Sequence, residues 1–292
     1  MPQIRVGAFT PSVLLDVARS AGRLGDLDVV ESAVASSPAQ FASLDEGSLD
    51  AVFTSPDNGI AYRFLARNPL GRLLDVEFVA GIDRGLGLAL GLRPGLDAPT
   101  AGMRFGVDVP NSGFAFVGYA LLARAGLQPG DYEVVTLGST PKRVAALLAG
   151  ECDSTILGAG NDLRARAGGA TIVGSSADLG PYLGTVLARL GSSAAGEDVR
   201  QLGAVLSETA ADIVNGSLAA AAADSAERIL GLSPELALEH VATMADPGIG
   251  LVTDGRIDRE SLQTLVELRG RFLPDPDLDA IDLSPLLRSG NG

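Results

Sequence analysis

Two Rossmann-like α/β lobes, each built on a central, mostly parallel sheet and joined by a hinge that the chain crosses twice, are the fold this sequence predicts. Three observations carry that reading. A 23-residue module occurs twice, 103 positions apart, over residues 36–58 and 139–161. A strand–helix alternation precedes each copy. An apolar content of 46% over 292 residues is enough to bury two ordinary cores.

Within the module, seven of the 23 aligned positions are identical: Ser36/Ser139, Pro38/Pro141, Ala42/Ala145, Leu44/Leu147, Gly47/Gly150, Asp50/Asp153 and Asn58/Asn161. They fall on structural punctuation. Ser37 or Thr140 reads as a helix N-cap followed by proline at the first helical position, where a missing N–H costs nothing. Phe41 and Leu44 in one copy, and Val144, Leu147 and Leu148 in the other, recur at three and four residues and give each helix an apolar stripe. Gly47 and Gly150 stop the helices by taking the left-handed conformation without strain. The runs 50–53 and 153–157 then read as buried parallel strands. Their carboxyl ends deliver Thr54-Ser55-Pro56-Asp57-Asn58 in one copy and Gly158-Ala159-Gly160-Asn161 in the other.

Upstream, 4–9 and 105–109 read as first strands, each followed by a Pro- and Ser-bearing turn and an amphipathic helix ending at Gly22 or Gly126. Second strands follow at 28–34 and 132–137. Strand-helix-strand-helix-strand, run twice, implies parallel sheets with right-handed crossovers. Such sheets bind small ligands at the carboxyl ends of their strands, where helix N-termini converge.

The glycine-laced extended segments 75–82 and 85–92, separated by Asp83-Arg84, mark one crossing between lobes, and 181–188 marks the second. The expected division is residues 1–84 with 186–292 as a discontinuous lobe and 85–185 as an inserted one. Beyond the second crossing, Ala/Leu-rich periodicity predicts helices over 197–223, 226–230, 234–244 and 259–272. The tail from Pro274 reads as an extended surface segment docked through Leu283, Leu286 and Leu287.

Charge follows the same partition. Residues 1–83 carry 6 Arg against 11 acids (−5), 86–180 carry 7 bases against 8 acids (−1), and 181–292 carry 8 Arg against 17 acids (−9), with Arg84 adding one positive charge. The total of −14 and the single lysine, Lys142, exclude nucleic acid and anionic membrane as partners, since phosphate binding needs clustered cations. One cysteine rules out an internal disulfide framework, and one histidine makes the familiar zinc sets improbable. No cofactor, metal or membrane insertion is expected, and a monomer is. Cys152 reads as a buried small hydrophobe and His240 as a surface or packing residue of its helix. The start, Met1-Pro2-Gln3, runs straight into a strand with neither a basic nor an apolar leader region. The expected location is therefore cytoplasmic if the sequence is complete, and periplasmic or extracellular if a signal has been removed.

The order of Ser-Pro-Asp-Asn (55–58), Ala-Gly-Ile-Asp-Arg-Gly (80–85), Val-Asp-Val-Pro-Asn-Ser-Gly-Phe-Ala-Phe (107–116), Pro-Gly-Asp-Tyr-Glu-Val (129–134), Arg-Val-Ala-Ala-Leu-Leu-Ala-Gly (143–150) and Gly-Pro-Tyr-Leu-Gly-Thr-Val-Leu (180–187) resembles the substrate-binding proteins of ABC importers. The similarity is to the nitrate, sulfonate, taurine and hydroxymethylpyrimidine group, with the type II periplasmic-binding fold, and spans residues 3 to 285. It implies a two-lobed receptor that closes on one small organic or oxyanionic solute and works with an ABC permease. By position, the resemblance draws ligand contacts from Thr10 and Ser12, Ser37 and Gln40, and Ser55, Asp57 and Asn58 in one lobe. From the other it draws Asn111, Ser112, Gly113 and Phe114, Ser139 and Thr140, and Asn161, with Tyr182 at the hinge.

Hydroxyls, amides and free N–H groups at helix starts can hold an oxyanion without a formal cation; each Ser or Thr also has the plainer reading of an N-cap. Asp57 is either a cleft carboxylate that favours a cationic or NH-bearing ligand, or a turn-former. Asp83-Arg84 reads as a hinge ion pair, although Arg84 in a cleft would favour an anion. Phe114 and Tyr182 can stack on a flat ligand. The alternative function is a cytoplasmic enzyme on the same fold, of decarboxylase, desulfinase or dehydratase/lyase type, resting on Asp57, Ser12, Ser112 or Arg84. Because one His and one Cys do not assemble a nucleophile-base pair, no catalytic residue is assigned.

Overall fold

The structure, a computed structural model, describes residues 3–287. Its first half alternates strand and helix: β1 (Ile4–Ala8), α1 (Val13–Ser20), β2 (Val29–Ala33), α2 (Ser37–Asp45), β3 (Ala51–Thr54), α3 (Pro56–Phe64) and β4 (Val76–Asp83). The chain then builds β5 (Ala89–Leu92), β6 (Arg104–Val107), α4 (Gly113–Arg124), β7 (Glu133–Thr136), α5 (Thr140–Leu148), β8 (Ser154–Leu157), α6 (Asn161–Ala167) and β9 (Thr171–Ser175). It returns through a 3-10 turn at Ser176–Leu179 to β10 (Thr185–Leu190) and closes with α7 (Gly196–Val214), α8 (Ala219–Leu230), α9 (Pro234–Ala245) and α10 (Arg259–Phe272). In the tail, the residues Leu283 and Leu286 are buried and Leu287 packs against the core.

Among the described residues, ten strands form two five-stranded sheets of one topology, β2-β1-β3-β10-β4 and β7-β6-β8-β5-β9. The first three strands of each run parallel. A single strand contributed from beyond each repeat, β10 in one sheet and β5 in the other, runs antiparallel between its neighbours. The chain passes between sheets after Asp83 and again before Thr185, where Thr185 pairs with Asp83. Both crossings therefore lie side by side.

The repeat is deeper than its identical residues. Gly7 and Gly106 occupy the same register, opposite Val52 and Thr155. A Cβ on Gly7 would meet Leu49 at 2.6 Å and one on Gly106 would meet Leu137 at 2.8 Å and Cys152 at 3.2 Å, so both helix–strand layers close over a bare backbone. Leu49 and Cys152 are themselves repeat partners. Cys152 is fully buried, and burial pushes its thiol up to about 11.

Three boundaries differ from those the sequence predicts. The caps of α2 and α5 are Ser36 and Ser139, one residue earlier, because their carbonyls accept the first helical bonds from Gln40 and Arg143. Proline then sits one residue further in, equally harmless because the whole first turn lacks N–H acceptors. Helices α3 and α6 start where the sequence reads only turns. The long helix breaks at 215–218 rather than after 223: Gly216 takes φ of +92° and the Leu218 N–H returns to the Asp212 carbonyl.

Candidate functional site

The strand ends of both sheets converge on a partly open cavity of about 110 Å³. One wall is the β1–α1 turn, with Phe9, Thr10 and Ser12; Phe53 and Thr54 extend it from the end of β3. The opposite wall is Phe114, Thr140, Gly158 and Ala159, and the hinge supplies Asp83, Gly85, Leu86, Gly184 and Thr185. Leu230, His240, Met244 and Leu251 complete the lining. The Asn161 side-chain amide donates to Thr10 Oγ1 across the two lobes at 3.3 Å and to the Gly158 carbonyl at 3.0 Å.

Leu86 and Ala159 are the two non-glycine residues with positive φ among those described, 42° and 54°, and both line this cavity. The Ala159 N–H donates to the Leu86 carbonyl at 2.9 Å, while the Leu86 N–H is held by the Ile249 carbonyl at 2.7 Å. Left-handed backbone at non-glycine positions costs about 1–3 kcal/mol and gathers at ligand clamps. Here it couples the first crossing to the β8–α6 turn.

Of the residues that the sequence singles out, Thr10, Ser12, Phe114 and Thr140 reach the cavity wall. Ser12 also caps α1, accepting from Leu15 N–H at 3.2 Å, and its own N–H donates to Glu31, whose carboxyl burial raises to about 7. Ser112 likewise caps α4 through Ala115 N–H and donates its hydroxyl to Asp108. Ser37 is buried in the first turn of α2, and Ser139 stands at the start of α5 without a side-chain cap bond. Asn58 is buried with its amide on Thr54 Oγ1.

Gln40 is a clamp inside its own lobe. Its amide donates to the Phe53 carbonyl at 2.9 Å and the Gly7 carbonyl at 3.3 Å. Its repeat partner, Arg143, does the same in the other lobe, donating to the Ile156 carbonyl at 3.1 Å, Thr155 Oγ1 at 3.1 Å, Thr140 Oγ1 at 3.0 Å and the Gly138 carbonyl at 2.6 Å. Burial lowers the Arg143 pKa, opposed by the Asp108 charge. Sequence reading missed Arg143, although its place opposite Gln40 in the repeat was a usable signal.

Asp57 resolves differently from either reading open to the sequence. Arg269, on α10, donates Nε to Asp57 Oδ1 at 2.8 Å and Nη2 to Oδ2 at 2.7 Å, and both side chains are almost wholly buried. The same guanidinium lies 4.9 Å from the Phe116 ring centre and reaches the Asn111 carbonyl at 3.3 Å. Nothing in the sequence pointed to Arg269. Gly113 packs against this pair, and Ser55 and Tyr182 lie buried next to it. Burial pushes the Tyr182 phenol well up, Asp57 and Asp83 push it further, and the nearby Ser55 hydroxyl counters slightly. Asp83 and Arg84 do not pair: Asp83 accepts from Gly85 N–H at 2.8 Å, while Arg84 sits 3.8 Å from Asp258.

His240, expected on a surface or in packing, is packed at 2% exposure and also lines the cavity. Burial lowers its pKa to about 4. In the unfolded chain it titrates near 6.5, so between those values the unfolded state holds the extra proton and stability falls as pH falls. Asp83, raised by burial to about 6, has the opposite sign between 3.8 and 6. A His240→Gln variant isolates the first effect: its urea-unfolding stability relative to wild type should improve by about 3 kcal/mol from pH 7 to pH 4. A constant difference across that range would mean the folded imidazole titrates normally.

No protein-family model matches the sequence, and neither does any curated protein. Solved structures do match. The alkanesulfonate-binding protein SsuA from Xanthomonas axonopodis pv. citri, bound to MOPS, superimposes with a TM-score of 0.75 at 18% identity over 98% of both chains. The periplasmic nitrate-binding protein NrtA from Synechocystis PCC 6803 gives 0.73 at 13% identity over 95% of this chain and 84% of its own. A Candida albicans protein with the generic periplasmic-binding-protein fold gives 0.73 at 15% identity over 100% of this chain and 97% of its own. With two sheets of one topology, two adjacent crossings and these likenesses along its whole length, the chain carries the type II periplasmic-binding-protein fold.

Proposed function

We propose that this protein captures one small solute between its lobes, 1–84 with 186–292 on one side and 85–185 on the other, and delivers it to an ABC permease. The carrying observation is the cavity itself: it is walled from both lobes and the hinge, so a solute held there touches every part that must move when the lobes close or part. The Thr10–Asn161 bond and the bond from the Leu86 N–H to the Ile249 carbonyl are the latches of that closed state. The likeness to sulfonate- and nitrate-binding proteins supports solute capture, and no helix among the described residues is long and apolar enough to cross a membrane. A receptor of this kind works outside the cytoplasmic membrane, in the periplasm or on the cell surface.

A thermal-denaturation screen against small organic and oxyanionic solutes tests the proposal. A cognate solute at 100 times its Kd adds about 2.7 kcal/mol, a melting shift of roughly 4–5 °C for a chain of this size. The solute should be recovered chemically unchanged, and small-angle scattering should show a radius of gyration no larger than that of the free protein. Turnover of the bound solute would overturn the proposal in favour of an enzyme.

A further inference from the structure

The cavity wall holds no arginine or lysine; its charged or titratable side chains are Asp83 and His240. The buried guanidinia nearby are committed elsewhere, Arg143 to four oxygen acceptors and Arg269 to Asp57 and Asn111. An oxyanion closed into this space would therefore meet a carboxylate and no cation. Like charges brought together in a site shut off from water cost several kcal/mol.

His240 supplies the independent observation. Among the described residues no hydrogen bond reaches either of its imidazole nitrogens, although the side chain is 2% exposed. Buried polar groups are satisfied in native proteins, so one left open towards a cavity marks the place of a missing partner. A neutral imidazole offers one acceptor and one donor. Asp83 accepts from the Gly85 N–H and the Thr185 hydroxyl and still has acceptor capacity to spare, since an ionised carboxylate accepts at about four positions. Phe9, Phe53, Phe114 and the leucines surround both groups with apolar surface.

On the reading of this cavity as a solute site, we infer that its ligand is a small, mostly apolar molecule bearing a hydrogen-bond-donating nitrogen (an amine, amide or NH-heterocycle), recognised by Asp83 and His240. This departs from the sulfonate and nitrate named for proteins of similar structure.

Calorimetric titration of the full chain with benzylammonium and benzamide, against benzoate and benzenesulfonate, separates the classes on one carbon skeleton. The nitrogen-bearing probes should bind at least tenfold more tightly than the oxyanions, and Asp83→Asn and His240→Gln should each lose at least tenfold of that affinity. Should Asp83→Asn fail to fold because it weakens the hinge, His240→Gln, on α9, decides alone. Tighter binding of the oxyanions overturns the ligand class and leaves solute capture standing. Nitrogen probes that bind both variants unchanged overturn the assignment to Asp83 and His240. If no probe binds, the ligand class falls; if the solute screen is silent as well, solute capture falls with it.

Discussion

Asp57→Ala is expected to destabilise the protein by about 3–5 kcal/mol in urea unfolding at neutral pH, and Arg269→Ala by a similar amount. The two side chains form a bidentate pair at 2.7 and 2.8 Å, exposed by 1% and 5%. Removing either leaves a charge in the interior with nothing to offset its lost hydration. Removing both should cost less than the sum of the two, because no buried charge is then stranded; the difference is the coupling energy of the pair. The guanidinium also spans the lobes, from α10 to the Asn111 carbonyl and the Phe116 ring. A result in which Asp57→Ala leaves stability untouched while weakening solute binding would return Asp57 to the cleft role that the sequence allowed it.

That pair shows where sequence reading reaches its limit. Asp57 and Arg269 are 212 residues apart, and neither helix carries a periodic or motif signal that names the other. The fold was legible because its signals are local and doubled: caps, glycine stops and apolar strands recur at a spacing of 103. Even the cap positions shifted by just one residue, since proline suits any place in a helix's first turn. Helix α3 was hidden because Pro56, Asp57, Asn58 and Gly59 are all turn formers, yet they begin a helix whose face is buried against β4, with Gly59 pressed onto Phe78. For His240 the sequence left surface and packing both open, because Glu235 and Glu239 flank it on α9; the structure settles on packing, on the buried face it shares with Ala237, Val241 and Met244. Gln40 and Arg143 differ in type, so identity counting passed over two residues that do one job.

Gly113→Ala should prevent full closure of the lobes with little change in folding stability. Gly113 begins α4 with backbone dihedrals that any residue adopts, so the substitution adds no strain within its own lobe. Across the cleft, however, the new Cβ would stand 2.5 Å from Ser55 Oγ and 2.7 Å from the Asp57 Cβ. The Ser55 hydroxyl can rotate away. Asp57 is held by Arg269 and cannot yield without breaking that pair, so the lobes must part instead. The separation would also stretch the Thr10–Asn161 and Arg269–Asn111 contacts that cross the same gap. Small-angle scattering should then report a larger radius of gyration for the variant than for wild type, at an unchanged urea midpoint. Affinity for any solute that raises the wild-type melting temperature should fall by about 100-fold, close to 2.7 kcal/mol. Since the atoms nearest the methyl group belong to Ser55 and Asp57, neither of which lines the cavity, that loss reports on closure; a variant with wild-type dimensions and affinity would mean that capture proceeds without it.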